Sequence, residues 1–331
     1  MPCYDAAATL PDALDSLLAQ TLQDFEIVAV DDGSSDDTPA ILRTYARREP
    51  RLSILTQAHA GLVASLNTGL AACRAQIIAR MDADDRSHPE RLARQLAFLQ
   101  ANPQVALLAC RVQAFPDQDV RQGLQGYLDW QNSLCSDADI RRQIFIESPF
   151  THPSVAIRRV WLLRLGGYQD HGWAEDYDLW LRLYLAGAQF AKLDDVLLEW
   201  RERPQRLTRT DSRYSLENFL RAKAHYLLHG PLSGRDAVFL WGAGIAGRRL
   251  GRQLLALGVP LVAYFDIAPR KIGSTRHGRP VLPPQALLDW WARFQHPVLL
   301  ATVGARNARP IVRQRLVGFG LQEGLDWWGA A

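Results

Sequence analysis

The 331-residue chain holds only four cysteines, Cys3, Cys73, Cys110 and Cys135, with no CxxC pair among them. That spacing excludes a disulfide scaffold and a zinc ribbon, and it fits a reducing compartment, the cytoplasm. Lysine is almost missing: it occurs at Lys192, Lys223 and Lys271, and arginine supplies the remaining positive charge. Neither sign of charge dominates, since 38 basic and 35 acidic residues leave a formal +3. Charge alone therefore points neither to nucleic acid nor to a membrane surface. No apolar run approaches the ~18 residues of a membrane-spanning helix. The start, Met1-Pro2-Cys3-Tyr4-Asp5, has no basic stretch ahead of an apolar core, so it does not read as a signal peptide. Internal repeats and low-complexity stretches are also missing. What remains is a chain 48% hydrophobic and 22% charged, the balance of a soluble globular protein. At roughly 150 residues per domain, its length suits about two domains.

The first half alternates strand and helix patterns. Thr9-Leu10-Pro11-Asp12 predicts a helix start, with Thr9 as cap and Pro11 in the first turn. Apolar runs predict strands over 25–30, 52–55, 76–81 and 105–109, and helical spacing predicts helices over 38–48, 61–73 and 89–99. This rhythm argues for an α/β layer structure with a largely parallel sheet. The middle is less regular, with helical patches over 126–134 and 137–144 and helices from 160, from 175 and over 212–228. His229-Gly230-Pro231-Leu232-Ser233-Gly234 reads as a linker. The expected division is a domain over 1–229, a linker over 230–235 and a second domain over 236–331, the latter a small βαβ unit.

Three acidic constellations sit where chemistry is expected. Asp82-Ala83-Asp84-Asp85 follows an apolar strand, and open α/β sheets bind ligands beyond the carboxyl ends of their strands. Adjacent carboxylates repel unless a cation neutralises them, and hard oxygen ligands suit Mg²⁺ or Mn²⁺. A solvated acidic turn is the plainer alternative. Asp31-Asp32-Gly33-Ser34 ends an earlier strand and can either bond a base or ribose or cap the next helix. Glu175-Asp176 opens a helix after a loop containing Gly166, Gly167 and Gly172. One of these acids can take a proton from an attacking hydroxyl, or both can simply complement the helix dipole.

Taken in order with Pro2-Cys3-Tyr4-Asp5-Ala6-Ala7, these segments resemble the family 2 glycosyltransferases of the GT-A fold. The resemblance covers roughly residues 1–210. It implies a nucleotide-diphospho-sugar transferase fold, with Tyr4 stacked on the nucleobase and Asp32 bonded to it. It implies Asp82 near the ribose and metal, and Asp84 on a divalent ion that bridges the donor diphosphate. Pro2, Asn67 and Arg203 are expected with the donor nucleotide, and Asp176, with Glu175 beside it, as the catalytic base. The implied reaction is inverting transfer to a hydroxyl of a glycan or lipid-linked acceptor, as in polysaccharide biosynthesis. Nucleic acid is not expected as a partner; the inner face of the cell membrane is, by peripheral association.

Three departures from the family pattern stand out. The sequence opens at the Pro-x-Tyr motif, without the apolar strand the family places before it, so the expectation is either a true start lying upstream or a sheet whose first strand is truncated. Asp5 stands where asparagine is usual, and Arg201-Glu202-Arg203-Pro204 fills a region where many members carry a histidine. Arg203 cannot ligate a metal, but it can pair with a diphosphate. His152 can face the acceptor, although a structural role is the stronger reading, and Trp290-Trp291 and Trp327-Trp328 are expected in packing.

In the C-terminal part, Gly242-Ala243-Gly244-Ile245-Ala246-Gly247 is a GxGxxG between a strand and a helix, with Asp266 22 residues after Gly244. That is the setting of a Rossmann-like nucleotide site built on Gly242, Gly244, Gly247 and Asp266, for NAD or a second nucleotide. An NAD- or nucleotide-sugar-binding oxidoreductase or sensor, with an inactive transferase domain, is the alternative expectation.

Overall fold

The computed structural model describes residues 1–203 and 206–331, so Pro204 of the arginine-rich segment lies outside the described residues. The chain divides into two compact units, Met1–Ile140 with Pro149–Asp211, and Arg141–Ser148 with Ser212–Ala331.

The first unit holds two sheets. Three parallel strands, β1 (Pro2–Cys3), β2 (Ile27–Asp31) and β3 (Leu52–Thr56), lie in that order. The second sheet is mixed. It is built from β4 (Ile77–Ala79), β5 (Arg86–Ser87), β6 (Val105–Phe115), β7 (Ala156–Arg158) and β8 (Gln189–Arg201), ordered β4-β7-β6-β8-β5. Its long β6–β8 pair is parallel, and the other pairs are antiparallel. β2 is buried along its whole length, as a parallel strand covered on both faces must be.

The helix Leu10–Leu18 buries Leu10, Ala13, Leu14 and Leu17, the face its spacing predicts, and Pro11 sits in its first turn. Thr9 does not cap it. Its hydroxyl donates instead to Ala83 O, 3.0 Å away, which ties the helix start to the acidic turn.

β1 is two residues long, and β4 is an edge strand of the second sheet. A cavity of about 460 Å³ opens among Met1, Phe25, Val28, Leu70, Ile77 and Leu92. The Met1 amine donates to Val28 O at 2.8 Å there, and burial, reinforced by the Arg80 charge, pushes its pKa down to about 6.

The second unit is a six-stranded sheet of β9 (Ala237–Trp241), β10 (Leu261–Phe265), β11 (Thr275–Arg276), β12 (Arg279–Leu282), β13 (Pro297–Ala301) and β14 (Trp327–Gly329). The order is β11-β12-β10-β9-β13-β14, parallel except for β11. Connections running outward in both directions from a central β9 are the doubly wound pattern expected of this part. Trp327 and Trp328 are buried on β14, and Trp290 and Trp291 pack against the core.

The boundary departs from the expected linker over 230–235. The helix Leu216–Leu228 belongs to the second unit, and its buried Lys223 donates to Ile146 O (3.1 Å) and Ala330 O (2.8 Å). The linker's glycines and proline mark a turn inside this unit rather than its edge.

Candidate functional site

The site in the first unit is built from the carboxyl ends of β1 and β2, the turn after β4 and the start of the helix Glu175–Leu185. At β2, Gly33 turns the chain at φ +75°, and a Cβ there would lie 2.8 Å from His59 N, so only glycine fits. The buried Asp32 carboxylate accepts from Gln57 Nε2 (2.6 Å), Ala60 N (3.0 Å) and Gly61 N (2.9 Å), with His59 Nδ1 at 2.9 Å. Burial raises its pKa, but these donors outweigh burial and hold it below the usual carboxylate range. Asp32 thus spends its acceptors on the 57–61 loop.

Tyr4, half exposed, stacks on His59 at 4.1 Å between centroids. Asp5 adopts φ +44°, a conformation asparagine and aspartate both tolerate, and its carboxylate accepts from Ser35 N at 2.8 Å. The departure at this position therefore leaves the turn intact. Pro2 lies in β1, paired with Val30.

The acidic turn gathers three carboxylates. Asp82, Asp84 and Asp85 each offer a ligand oxygen, all within 4.8 Å of one another. Asp82 accepts from Arg80 (2.6 Å), and Asp84 pairs with Arg203 (2.9 Å). Asp85 is 1% exposed and accepts from Arg201 N at 2.8 Å, while its second oxygen has no partner. Burial and then the charge of Asp82 raise the pKa of Asp84, and burial with the Asp84 and Asp82 charges holds Asp85 well above the usual range. Crowded acids with an orphaned buried oxygen fit a hard divalent cation. Arg203, expected at the diphosphate, here pairs with Asp84 itself.

At the third corner Glu175 is buried, whereas Asp176 is only half-buried, which makes Asp176 the accessible acid of the pair. Burial and the adjacent Glu175 charge push Asp176 up to about 8, and Asp82 adds to the rise. The preceding turn is held by Gly166 and Gly167, both at positive φ, and a Cβ on Gly167 would fall 2.5 Å from Asn67 Oδ1. Asn67 bonds the Tyr168 backbone at both ends, accepting from its N (2.9 Å) and donating to its O (2.8 Å). The amide expected on the donor is thus committed to the loop before the base. His152 is buried against Tyr168 Oη (2.9 Å), with Glu175 Oε1 3.7 Å away, and burial then Arg80 push its pKa well below the usual imidazole range, which fits the structural role.

Sequence reasoning missed His59 and Gln57, and it gave no role to Arg80, two residues before Asp82, or to Arg201 within the arginine-rich segment.

In the second unit the glycine turn packs tightly. Gly242 has φ +115°, and a Cβ on Gly247 would lie 1.9 Å from Gly242 O, whereas Gly244 borders open space with Lys271 Nζ 3.9 Å away. Asp266 accepts from Ala243 N and from Lys271 Nζ, both at 2.8 Å. The acid expected at a ribose therefore braces the glycine turn.

Residues 1–166 match the protein family described as Glycosyl transferase family 2. The chain belongs to that family. It is 35% identical over 193 residues to the amylovoran biosynthesis glycosyltransferase AmsE of Erwinia amylovora, a match covering 58% of this chain and 70% of that protein. It is 26% identical over 236 residues to an Escherichia coli protein, UDP-Gal:alpha-D-GlcNAc-diphosphoundecaprenol beta-1,3-galactosyltransferase, covering 71% of this chain and 83% of the relative. Among solved structures, S. aureus TarS 1-349 in complex with UDP-GlcNAc matches with a TM-score of 0.57 at 19% identity, over 76% of this chain and 70% of that one, which shows the shared GT-A fold. The family 2 chain is thus a nucleotide-sugar glycosyltransferase, and nothing favours the oxidoreductase alternative. Among the described residues no helix is long and apolar enough to cross a membrane.

Proposed function

We propose that the chain transfers a sugar from a nucleotide-diphospho-sugar to a hydroxyl of a glycan or lipid-linked acceptor, with inversion at the anomeric carbon. The observation that carries this reading is the convergence of Asp176 and the Asp82–Asp84–Asp85 cluster, close enough for Asp82 to act on the charge of Asp176. Ionised Asp176 takes the acceptor proton while the acceptor oxygen forms its bond to the anomeric carbon. The bond from that carbon to the phosphate oxygen breaks, and its electron pair leaves with the nucleoside diphosphate. Tyr4 and the loop braced by Asp32 flank the nucleobase, and Asn67 holds the loop that orients the base helix. Asp84 and Asp82, with Asp85, would hold Mn²⁺ or Mg²⁺, which would supply charge stabilisation to the departing diphosphate. Arg203, which pairs with Asp84, would be the cation available to the diphosphate if a metal occupied that carboxylate. The Escherichia coli relative, named for a diphosphoundecaprenol-linked sugar, supports the lipid-linked acceptor class.

The test is calorimetry with a panel of nucleoside diphosphates and their sugars, in Mn²⁺ and in chelator. The expected result is donor binding that needs the cation and is lost in Asp84→Ala. Equal affinity in chelator and in Mn²⁺ rejects the metal role.

A further inference from the structure

The even charge of the whole chain conceals a strong division. The unit of Arg141–Ser148 and Ser212–Ala331 carries 18 arginines and lysines against 7 acids, a formal +11. The other unit carries 20 against 28, a formal −8.

Within the basic unit the helix Ile245–Ala256 carries three arginines and no acid. Gly247, Leu250, Gly251 and Leu254 bury one face. Ile245, Arg248, Arg249 and Arg252 are exposed, and helical spacing puts them on the opposite face. The turn between β11 and β12 brings Arg276 to the same place. The imidazole of His277, in that turn, is pushed down by burial and then by the charges of Arg252, Arg248 and Arg276 together. Among the described residues none of these four arginines forms an ion pair with a carboxylate. Asp266 neutralises only Lys271, and its bond to Ala243 N pins the 266–271 loop beside the helix start. That loop exposes Ile267 (64%) at the end of the unit where Ile245 (62%) is exposed.

We propose that this face docks the second unit on the anionic surface of a phospholipid bilayer. Unpaired arginines in a row attract a negative surface from about a Debye length away. Exposed isoleucines at the edge of the arginine face suit the boundary between headgroups and acyl chains. Apart from the imidazole of His277 the patch gives a nucleobase no ring to stack on, and its exposed apolar side chains are aliphatic, which favours lipid over single-stranded nucleic acid. The proposal does not depend on the sugar, the acceptor or the cation of the transfer reaction.

The experiment is co-sedimentation of the full chain with phosphatidylcholine vesicles, with and without phosphatidylglycerol, at low and at high salt. Binding is expected only where phosphatidylglycerol is present, and it should fade at high salt. The double variant Arg248→Gln, Arg252→Gln should bind about 25-fold more weakly, at about fivefold per arginine near the surface, with an unchanged thermal melt. Ile245→Ser should weaken binding at either salt. Equal binding to both vesicle types, no binding at low salt, or stronger binding to an oligothymidylate than to the anionic vesicles overturns the proposal. The lipid and salt dependence of the unaltered chain tests it even if a variant fails to fold.

Discussion

Asp176 is one residue from Glu175, yet their surroundings give them different parts. Glu175 is buried beside His152, while Asp176 keeps access to solvent. Removing a general base typically costs ~10²–10⁴ in rate and spares ground-state binding. Asp176→Asn should therefore lose at least ~100-fold in transfer, with donor affinity nearly unchanged, and Glu175→Gln should lose less. A transfer assay beside a donor titration reads both, and a near wild-type Asp176→Asn enzyme removes the assignment. The sign of the pH effect follows from the raised pKa of about 8. Below it Asp176 holds its proton and cannot accept another, so transfer rises with pH. A cation on the acidic cluster pulls the midpoint below 8, and a profile flat from pH 5 to 8 counts against the base. At this scale the sequence disclosed residue types better than their partners. Asp32 and Asn67 were expected at the donor nucleotide, but their bonds go to the 57–61 loop and to Tyr168. Those partners are 25 to 101 residues away in the chain, beyond what a local pattern encodes.

Among the elements, those with local signals were legible: β2 from its apolar run, the helix Leu10–Leu18 from its early proline, and Thr38–Arg48 from its helical spacing. The 13-residue β8 was not, because Asp194-Asp195 interrupts its apolar pattern. The structure absorbs that interruption in a bulge, where Cys110 pairs with Leu193 but Arg111 with Val196. β1 shows the reverse case. Its shortness was legible, but the cavity beside it, bounded by Val28 of β2 and Ile77 of β4 and lined by Met1, needed the fold.

At the scale of the whole molecule, the glycine-rich segment after Leu228 looked like a boundary because turns and linkers share a composition. The second unit instead takes in residues from Ser212 on, and Lys223 joins three distant segments of it: its helix, residues 141–148 and the chain near Ala330. A lone ammonium in such a place carries a pH signature. Burial lowers Lys223 from 10.5 to about 8, with the Glu147 charge opposing. Between pH 8 and 10.5 the unfolded chain keeps a proton there that the folded chain has lost, so folding stability should climb with pH in that window. At about 1.4 kcal/mol per pH unit the climb amounts to roughly 3 kcal/mol. Other groups titrate in the same range, so the measurement is a difference. Urea unfolding is followed from pH 7 to 10 in the unaltered chain and in Lys223→Met, which cannot bind the proton in either state. The unaltered chain should gain stability relative to the variant as pH rises past 8 and hold a constant offset below it. Parallel curves across the whole range would mean that Lys223 titrates as a solvated lysine and that its two carbonyl partners do not hold it in the core.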